Sequence, residues 1–451
     1  MDLKGKKVLV FGAGKSGIGA ADLLGSAGAQ PVIYDGNADL DKEAVLHKTN
    51  GKYTPEIWAG AFPEGEMESL DLVVLSPGVP TDLPLVKSFY EKGLPVWSEV
   101  ELAYRTGKGE VLAITGTNGK TTTTALLGKI MGDARESVFV VGNIGTAYTS
   151  KSLEMREDSV TVAEISSFQL ETIEQFRPKV SAILNITEDH LNRHHTMEEY
   201  IRVKELITKN QTSEDTCVLN YEDPILRAFG ENLQIRVLFF SSERKLKQGL
   251  YLEDETIWYA DESQKLAICK TQDLNIVGKH NYENVMAAAG MALSYGVPLE
   301  KIQEAVKAFQ AVEHRIEFVT EKSGVVYYND SKGTNPDAAI KGIQAMSRPT
   351  LLIGGGYDKG SDYTEWIQSF DGKVKYLVLL GVTKEKIAET ARKCGFDNII
   401  MTENLEEAVK VCAENAESGD AVLLSPACAS WDMFPSYEVR GRRFKELVRN
   451  L

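Results

Sequence analysis

Residues 111–131 read VLAITGTNGKTTTTALLGKIM, and three kinds of sequence follow one another in this stretch. The apolar run up to Thr115 predicts a buried strand, two glycines then predict a loop, and the apolar positions after Lys120 predict a helix. Glycines let several backbone N–H groups approach phosphate oxygens, and a helix N-terminus adds partial positive charge. Lysine supplies charge for the β- and γ-phosphates, and the next hydroxyl reaches Mg²⁺. The stretch predicts a nucleoside triphosphate site formed by Gly116, Thr117, Asn118, Gly119, Lys120, Thr121 and Thr122.

The spacing of this loop differs from the usual G-x-x-x-x-G-K-[ST] pattern. Here the first glycine lies two residues closer, which gives G-x-x-G-K-T. A glycine turn beside a solvated lysine is the alternative interpretation. The preceding strand, the following helix and four consecutive threonines favour the nucleotide site.

A second glycine loop lies near the start of the chain, where residues 10–20 read VFGAGKSGIGA. Gly12, Gly14 and Gly17 follow an apolar run and open a helix, and Asp35 ends the next apolar run. This pattern is typical of dinucleotide-binding domains. An NAD-dependent dehydrogenase does not need the loop at residues 116–122, so an ATP-using enzyme whose first domain holds another nucleotide is the competing interpretation.

Short apolar runs alternate with helix-like stretches along the whole chain, which indicates parallel sheets covered by helices. Residues 250–260 and 266–271 alternate like strands and predict an antiparallel addition to the second sheet. We predict an α/β protein of three domains in series. The N-terminal domain (1–104) is Rossmann-like, the central domain (105–311) is P-loop ATPase-like and the C-terminal domain (312–451) is Rossmann-like. The polar residues 104–110 (YRTGKGE) are predicted to form a linker.

The length and composition of the chain limit the classes of function that are possible. At about 150 residues per domain, 451 residues fit three domains. The net charge of −15 argues against nucleic-acid and anionic-membrane binding. No apolar run approaches the roughly 18 residues of a membrane span, and the first apolar run is too short for a signal peptide, so we predict a cytoplasmic protein. Five scattered cysteines without C-x-x-C spacing argue against disulfides and zinc.

Several further stretches carry polar residues beside predicted strands or helices. They are AEISSFQLE (163–171), LNITEDHLNRH (184–194), YIRVKELI (200–207), EHRIE (313–317), NDSKGTNPDA (329–338) and SPACASWDMF (425–434). Together with GTNGKT and VVGNIG, these stretches resemble the Mur ligase family of ATP-dependent amide-bond formers. ISSFQLE, NDSKGTN and SPACAS point within that family to the D-glutamate-adding branch.

The resemblance implies a reaction in peptidoglycan precursor synthesis, and so a part in cell wall formation, cell shape and cell division. ATP phosphorylates the carboxylate of UDP-N-acetylmuramoyl-L-alanine, and the amine of D-glutamate attacks the acyl phosphate. The first glycine loop then holds UDP and not NAD. Another Mur ligase or a folylpolyglutamate synthase-like ligase is the nearest alternative, although the latter has no need of the N-terminal domain. A dehydrogenase and a non-catalytic ATP-binding switch are further alternatives.

The resemblance also assigns roles around the phosphate loop. Lys120, His190 and Lys204 are implied to be catalytic, with two Mg²⁺ ions held by Thr121, Glu164, His190 and Lys204, the last as a carbamate. From the residues alone, Glu164 is a strand-end carboxylate, His190 a loop histidine and Lys204 a solvated helix lysine. A carbamate turns a cation into an anionic oxygen ligand, which suits Mg²⁺.

The remaining predicted contacts fall into three sets. Further ATP contacts are Asn281, Asn284, Arg315, Asp330 and Lys332. UDP-substrate contacts are Gly14, Lys15, Ser16, Gly17, Asp35, Ser76, Pro77, Gly78 and Asn143. D-Glutamate contacts are Thr334, Lys359, Ser430 and Tyr437. ATP is expected between the second and third domains, with domain closure completing the site. An ion pair with Glu313 or Glu317 is the alternative for Arg315, and a solvated loop lysine is the alternative for Lys359.

Overall fold

The structure, a computed structural model, describes residues 3–143, 146–276, 278–310 and 312–451. Within these residues the strands form three sheets of five, nine and six strands. The chain divides into two compact units. Unit 1 comprises Met1–Ile268 with Glu283–Val306, and unit 2 comprises Cys269–Tyr282 with Lys307–Leu451.

The first sheet is parallel throughout and has the order β3-β2-β1-β4-β5. Its strands are β1 (Lys7–Phe11), β2 (Gln30–Asp35), β3 (Glu56–Ala59), β4 (Leu72–Leu75) and β5 (Val96–Ser98). The helices around it are α1 (Lys15–Ser26), α2 (Lys42–Leu46), α3 (Pro84–Glu91) and α4 (Glu99–Thr106). The central strands are continuous apolar runs because helices cover both faces of such a sheet.

The second sheet has the order β14-β13-β12-β11-β10-β9-β6-β8-β7. Its strands are β6 (Glu110–Thr115), β7 (Val138–Gly142), β8 (Val160–Glu164), β9 (Val180–Ile183), β10 (Thr216–Asn220), β11 (Arg236–Ser241), β12 (Gly249–Glu253), β13 (Thr256–Ala260) and β14 (Lys265–Lys270). The strands from β7 to β12 pair in parallel, whereas β12 and β13 pair antiparallel. The predicted antiparallel addition is therefore confirmed.

Helices of the middle region follow the strands that carry the phosphate loop and the motif residues. They are α5 (Lys120–Ala134), α6 (Ser167–Leu170), α7 (Leu191–His194), α8 (Met197–Glu205), α9 (Pro224–Asn232), α10 (Lys279–Ser294) and α11 (Leu299–Ala308). Short 3-10 helices cover Glu66–Ser69, Tyr148–Ser150, Ser152–Glu154, Leu206–Thr208 and Thr271–Asp273. Because α5 starts directly after the loop that leaves β6, its N-terminus lies at the carboxyl edge of the sheet, where ligands bind in α/β proteins.

The third sheet has the order β15-β16-β20-β17-β18-β19, and only its edge pair β15–β16 is antiparallel among the pairings described. Its strands are β15 (Glu317–Lys322), β16 (Val325–Asn329), β17 (Thr350–Gly354), β18 (Val374–Leu379), β19 (Ile399–Met401) and β20 (Ala421–Leu424). The helices are α12 (Pro336–Gln344), α13 (Thr364–Gln368), α14 (Lys384–Lys393), α15 (Leu405–Asn415) and α16 (Tyr437–Arg449). The α/β fold class is thus confirmed in all three sheets.

The predicted linker at residues 104–110 is wrong in its first part. Helix α4 runs to Thr106, and only residues 107–109 separate it from β6. The Ser98 side chain caps the start of α4, and Arg105 Nε donates to Glu101 Oε1 at 2.6 Å across one turn. These interactions extend the helix into a segment whose composition resembles a loop. The domain boundaries themselves remain predictions. Among the described residues, no helix combines the length and the apolarity that crossing a bilayer requires.

Candidate active site

The phosphate loop has a backbone shape that its two glycines make possible. Gly116 has φ +142° and Gly119 has φ +85°, both in the region that side chains disfavour. A Cβ atom at Gly119 would lie 2.3 Å from Oδ1 of Asn284. Gly119 is also the N-cap of α5, so the loop passes straight into the helix N-terminus. This arrangement presents backbone N–H groups and the positive end of the helix dipole to an anion.

Asn185 braces the loop, although it is not among the site residues predicted from the sequence. Its Oδ1 accepts from the backbone N–H of Asn118 at 2.8 Å, and its Nδ2 donates to the carbonyl of Asn118 at 3.1 Å. The backbone N–H of Thr117 also donates to the Asn185 carbonyl at 2.9 Å. Asn185 lies just after β9, in the stretch LNITEDH (184–190). A polar residue at the end of a buried strand is the sequence feature that could have indicated its role.

Two lysines meet at one carbonyl oxygen of this loop. Nζ of Lys120 and Nζ of Lys204 each donate to the Gly116 carbonyl at 2.9 Å, and Lys120 also donates to the carbonyl of Thr117 at 2.8 Å. Lys204 is only 2% exposed, so its interpretation as a solvated helix lysine is wrong. Burial, together with the nearby charge of Lys120, holds the pKa of Lys204 well below its usual range.

Helix α8 holds Lys204 in this place. Thr196 caps the helix by accepting from the Glu199 backbone N–H at 3.2 Å. The Lys204 ammonium lies 4.6 Å from the ring centroid of Tyr200 on the same helix, and the Tyr200 hydroxyl is 3.1 Å from Oγ1 of Thr117. Burial raises the pKa of Tyr200 to about 12, so the phenol stays protonated. Tyr200 therefore links the helix of Lys204 to the phosphate loop.

Glu164 ends β8 and is 2% exposed. The side-chain amide of Asn143 donates to its Oε1 at 2.8 Å, and the backbone N–H of Asn143 donates to its carbonyl at 2.9 Å. The other carboxylate oxygen, Oε2, is buried and has no hydrogen-bond partner among the residues that the structure describes. A buried carboxylate oxygen without a partner is costly unless it meets a cation, so this donor fits a hard metal ion.

Apart from Glu164, the predicted metal ligands offer few donor atoms to a metal ion. His190 has φ +54°, its side chain is half exposed, and its ring centroid lies 4.9 Å from that of Phe168. Its Nε2 is 3.4 Å from Oδ2 of Asp189. Within the described residues, no group of three or more His, Cys, Asp or Glu side chains could hold a metal. The set fits an ion that takes few protein ligands and completes its shell with phosphates and water, as Mg²⁺ does.

Asn284 lies against the first turn of α5. It is 5% exposed, and its Oδ1 accepts from Oγ1 of Thr123 at 3.2 Å. The structure thus brings Asn284 to the phosphate loop, together with Lys120, Lys204 and the loop residues already described. Asn281 lies one turn earlier in α10, is 4% exposed and belongs to unit 2.

The first glycine loop is tightly built. A Cβ atom on Gly17 would lie 1.8 Å from the Gly12 carbonyl oxygen, and Oγ of Ser76 donates to the same oxygen at 3.3 Å. The Asp35 carboxylate accepts from the backbone N–H groups of Ala13 and Asn37, both at 3.0 Å. Asp35 therefore braces the loop, in addition to any ligand contact.

The other predicted UDP contacts border that loop. Gly14 and Lys15 are exposed, and Ser16, Ser76 and Pro77 are half-buried. Gly78 is exposed in the turn after β4. The hydrogen bond from Ser76 to the Gly12 carbonyl thus places the turn at residues 76–78 beside the first glycine loop.

Unit 2 contains the other predicted ATP contacts. Asp330 is 4% exposed, accepts from Oγ of Ser425 at 2.7 Å and from the Ile316 backbone at 3.3 Å, and burial raises its pKa to about 7. Nε of Arg315 is buried and finds no hydrogen-bond partner within the described part of the chain. Glu313 and Glu317 instead pair with Lys445, so the structure does not show the ion pair that was the alternative for Arg315.

The predicted D-glutamate contacts lie on three segments of unit 2. The exposed Lys359 has its Nζ 5.3 Å from the Trp431 ring centroid, next to the buried Ser430. Nζ of Lys332 lies 5.9 Å from the Tyr437 ring centroid. Thr334 is half-buried in the turn before α12.

Arg440 is not among the site residues predicted from the sequence, because the charged residues of its helix α16 are typical of a helix on the surface. It is 1% exposed and donates to both Oγ and the carbonyl of Ser331 at 2.9 Å. It also donates to the carbonyls of Cys428 at 3.2 Å and Ala429 at 3.3 Å. One guanidinium thus ties the segment of Lys332 to the segment of Ser430.

Family models match most of the chain. The N-terminal domain model "Mur ligase MurD-like" matches residues 6–98, the "Mur ligase middle domain" matches residues 114–292 and the "Mur ligase, glutamate ligase domain" matches residues 314–428. The three matches together place the chain in one class of enzymes, the ATP-dependent amide ligases. The chain belongs to the Mur ligase family.

Curated relatives match from end to end. The UDP-N-acetylmuramoylalanine–D-glutamate ligase of Lachnoclostridium phytofermentans is 58% identical over 451 residues, which covers 100% of this chain and 99% of the relative. Proteins of the same name from Lachnospira eligens and Clostridioides difficile are 57% and 47% identical over the full length of both chains. This membership decides against the dehydrogenase that the first glycine loop alone would allow.

Solved structures agree on the fold. The UDP-N-acetylmuramate–alanine ligase MurC of Thermotoga maritima superposes with a TM-score of 0.60 at 20% identity, covering 99% of each chain. The MurF ligase of the same organism, solved in complex with ADP, gives a TM-score of 0.58 at 17% identity, covering 99% of this chain and 95% of that one.

Proposed function

We propose that the chain adds D-glutamate to UDP-N-acetylmuramoyl-L-alanine at the expense of ATP, through an acyl phosphate, in the synthesis of peptidoglycan precursors. The observation that carries this proposal is the identity of 57–58% to D-glutamate ligases over the entire chain. The phosphate loop, the buried Lys204 and the half-satisfied Glu164 are what such chemistry requires: a place for ATP and a place for cations between two anions.

ATP is held, in this proposal, by the loop at residues 116–122. The backbone N–H groups and the α5 N-terminus receive the phosphates, while Lys120 turns from the loop carbonyls to the β- and γ-phosphates. Asn284 lies under this loop and fixes the first turn of α5 through Thr123. In unit 2, we assign further nucleotide contacts to Asn281, Arg315, Asp330 and Lys332. The buried Nε of Arg315, which has no hydrogen-bond partner among the described residues, suits an anionic ligand.

Magnesium is part of the proposal, with Thr121, Glu164, His190 and a carbamylated Lys204 as the residues that would hold up to two ions. The metal supplies charge neutralisation between the phosphates and the substrate carboxylate. The chain's own residues prepare for it, since Asn143 orients Glu164 by its 2.8 Å hydrogen bond and leaves Oε2 for the cation. A cation there relieves the cost of the buried unpaired oxygen.

The two other substrates occupy different parts of the chain in this proposal. The UDP moiety lies along the first glycine loop (Gly14, Lys15, Ser16 and Gly17), beside Asp35 and the turn Ser76, Pro77 and Gly78, and Asn143 contacts the muramoyl-alanine end. D-Glutamate, with two carboxylates, is received by Thr334, Lys359, Ser430 and Tyr437. A cytoplasmic location belongs to the same proposal, because ATP is present there and the cysteines are free.

Phosphate release tests the substrate assignment. The purified chain is supplied with ATP, Mg²⁺ and UDP-N-acetylmuramoyl-L-alanine, and release is compared for D-glutamate, L-glutamate and meso-diaminopimelate. Only D-glutamate should support release. The Lys120→Ala variant is the matched control for hydrolysis by other means, and it should bind the UDP substrate normally, since the two loops belong to different sheets. Equal release with L-glutamate would contradict the substrate assignment.

A further inference from the structure

Arg193 bridges the N-terminal and middle regions of unit 1. The guanidinium donates from Nη2 to the carbonyl of Val79 at 2.8 Å and from Nη1 to the carbonyl of Pro77 at 3.5 Å. The same group pairs with Glu171 through two bonds, Nη2–Oε2 at 2.6 Å and Nε–Oε1 at 3.2 Å. It also stacks over Phe168, 5.0 Å from the ring centroid. All five donors of a guanidinium point along a fixed planar fork, so these contacts fix the group in one orientation.

This ion pair is enclosed and not a surface contact. The side chains of Arg193 and Glu171 are 11% and 9% exposed. The neighbouring His194 lies with Nε2 2.9 Å from Oγ of Ser167 and Nδ1 3.6 Å from Oε1 of Glu171. Enclosed charged hydrogen bonds of this kind resist solvent screening and hold geometry better than exposed pairs. Helices α6 and α7 are thus joined to each other and, through Arg193, to the turn after β4. A second, exposed link joins the same two segments, since Nε2 of His195 lies 3.1 Å from Oδ2 of Asp82.

The elements that Arg193 joins are those that frame the site. The turn containing Pro77 and Val79 packs on the first glycine loop, because Oγ of Ser76 donates to the Gly12 carbonyl. Helix α6 begins three residues after Glu164, and α7 begins directly after His190. A ligand whose one end lies in the glycine loop and whose other end reaches Glu164 therefore spans elements that this guanidinium links directly.

We propose that Arg193 is a positioning residue that sets the separation between the UDP cradle and the reacting end of the site. This inference rests on the proposed function. Arg193 does not touch the substrate; it acts by holding the carbonyls of Pro77 and Val79 against the segment of His190. UDP alone contacts one side of this link, whereas UDP-N-acetylmuramoyl-L-alanine contacts both sides. Removing the link lowers the extra affinity that the larger ligand gains from its second end.

The test compares the affinities of UDP and UDP-N-acetylmuramoyl-L-alanine for the full chain by calorimetry. The double variant Arg193→Met/Glu171→Gln removes both charges and so avoids an unpaired buried carboxylate. Arg244→Met/Glu222→Gln is the matched control, because Arg244 and Glu222 also form a two-bond pair (2.9 and 2.6 Å) in unit 1, away from the glycine loop. Thermal unfolding checks that both variants are folded.

We expect the ratio of the two dissociation constants, UDP over the full substrate, to fall about tenfold in the Arg193→Met/Glu171→Gln variant. The control should keep the wild-type ratio. In turnover, the KM for the UDP substrate should rise while the KM values for ATP and D-glutamate stay within about twofold. Arg193→Lys, which keeps the charge opposite Glu171 but lacks the fork, should lie between wild type and the double variant.

Two outcomes overturn the inference. In a folded double variant, an unchanged ratio shows that Arg193 positions nothing, and a parallel rise of all three KM values shows a general structural role. Failure of the proposed function has a different signature: the wild-type chain itself would then bind UDP-N-acetylmuramoyl-L-alanine no more tightly than UDP.

Discussion

Substitution of Lys204 gives the sharpest test of the chemistry. Its Nζ and that of Lys120 each lie 2.9 Å from the Gly116 carbonyl oxygen, so the two nitrogens are at most about 5.8 Å apart. Two ammonium groups at that distance repel by about 3 kcal/mol at an effective dielectric constant of about 20. Reaction of the Lys204 amine with CO₂ forms an N–C bond, releases one proton and leaves a carbamate anion. In the proposed carbamate form the charge beside Lys120 becomes negative, and the carbamate would supply hard oxygen ligands for a metal ion.

Three variants separate charge from ligand chemistry. Lys204→Arg keeps a cation that cannot form a carbamate, Lys204→Met keeps the shape without charge, and Lys204→Ala leaves a cavity. All three should lose at least about a hundredfold in kcat. Lys204→Met should nevertheless stay folded in thermal unfolding, because methionine fills the space of the buried lysine stem without introducing a buried charge. Acetate should restore part of the activity of Lys204→Ala, and wild-type turnover should require bicarbonate after long CO₂ depletion.

The matched control is Lys209→Arg. Lys209 lies five residues further along, donates to the Ile173 carbonyl at 3.2 Å and touches no predicted ligand. It should keep normal turnover. If Lys204→Arg also keeps near-normal turnover, the carbamate role is refuted, and Lys204 then serves only to brace the Gly116 carbonyl.

Three further predictions follow from packing and charge. Gly17→Ala should lower the free energy of unfolding by at least about 3 kcal/mol and weaken UDP binding, because its Cβ would lie 1.8 Å from the Gly12 carbonyl oxygen. Gly14→Ala, whose Cβ would meet no atom of the described residues within 4 Å, should cost less than about 1 kcal/mol in the same denaturant titration. Glu101→Gln should lower the free energy of unfolding, measured by chemical denaturation, by about 3–5 kcal/mol. The reason is that this fully buried carboxylate accepts hydrogen bonds from three consecutive backbone N–H groups at 2.8–2.9 Å. A loss below about 1 kcal/mol would contradict that anchoring role. Burial, followed by nearby cations, lowers the pKa of His194 to about 4. Below pH 6.5 the unfolded chain therefore takes up a proton that the folded chain does not, and the free energy of unfolding should fall by about 3 kcal/mol between pH 6.5 and 4. His194→Gln should lose less stability over that range, and an identical pH profile would show that His194 does not contribute.

The sheets could be predicted where strands are buried on both faces. β1 and β6 consist mostly of apolar residues, and the sequence predicts both from their apolar runs. β15 has no such run, because EFVTEK is an edge strand with three charged residues and no fully buried side chain. β10 and β11 are not predicted for a related reason, since polar segments with Asp, Glu and Asn lie next to them in sequence. In the structure, pairing with neighbouring strands stabilises both strands despite these polar neighbours.

The candidate site shows the same division between local and long-range information. The loop containing Lys120 could be predicted because its residue types and spacing are local. The burial of Lys204 depends on contacts across 88 positions of sequence, and helix α8 on its own looks amphipathic with an exposed lysine. Arg440 was missed for the same physical reason, since its partners Ser331 and Cys428 lie 109 and 12 residues away.

The shortened phosphate loop explains why Asn185 matters. Two fewer residues leave less backbone to hydrogen-bond to itself, and the loop obtains the missing support from outside. The amide of Asn185 fills that need, because a side-chain amide offers one acceptor and one donor, and it engages both the N–H and the carbonyl of Asn118. Aspartate at this position would lack the donor and would add negative charge beside the phosphates, whereas leucine would satisfy neither bond. The conformation of the loop therefore depends on an amide one strand away, and replacing Asn185 should disturb the phosphate site that we predict at GTNGKT.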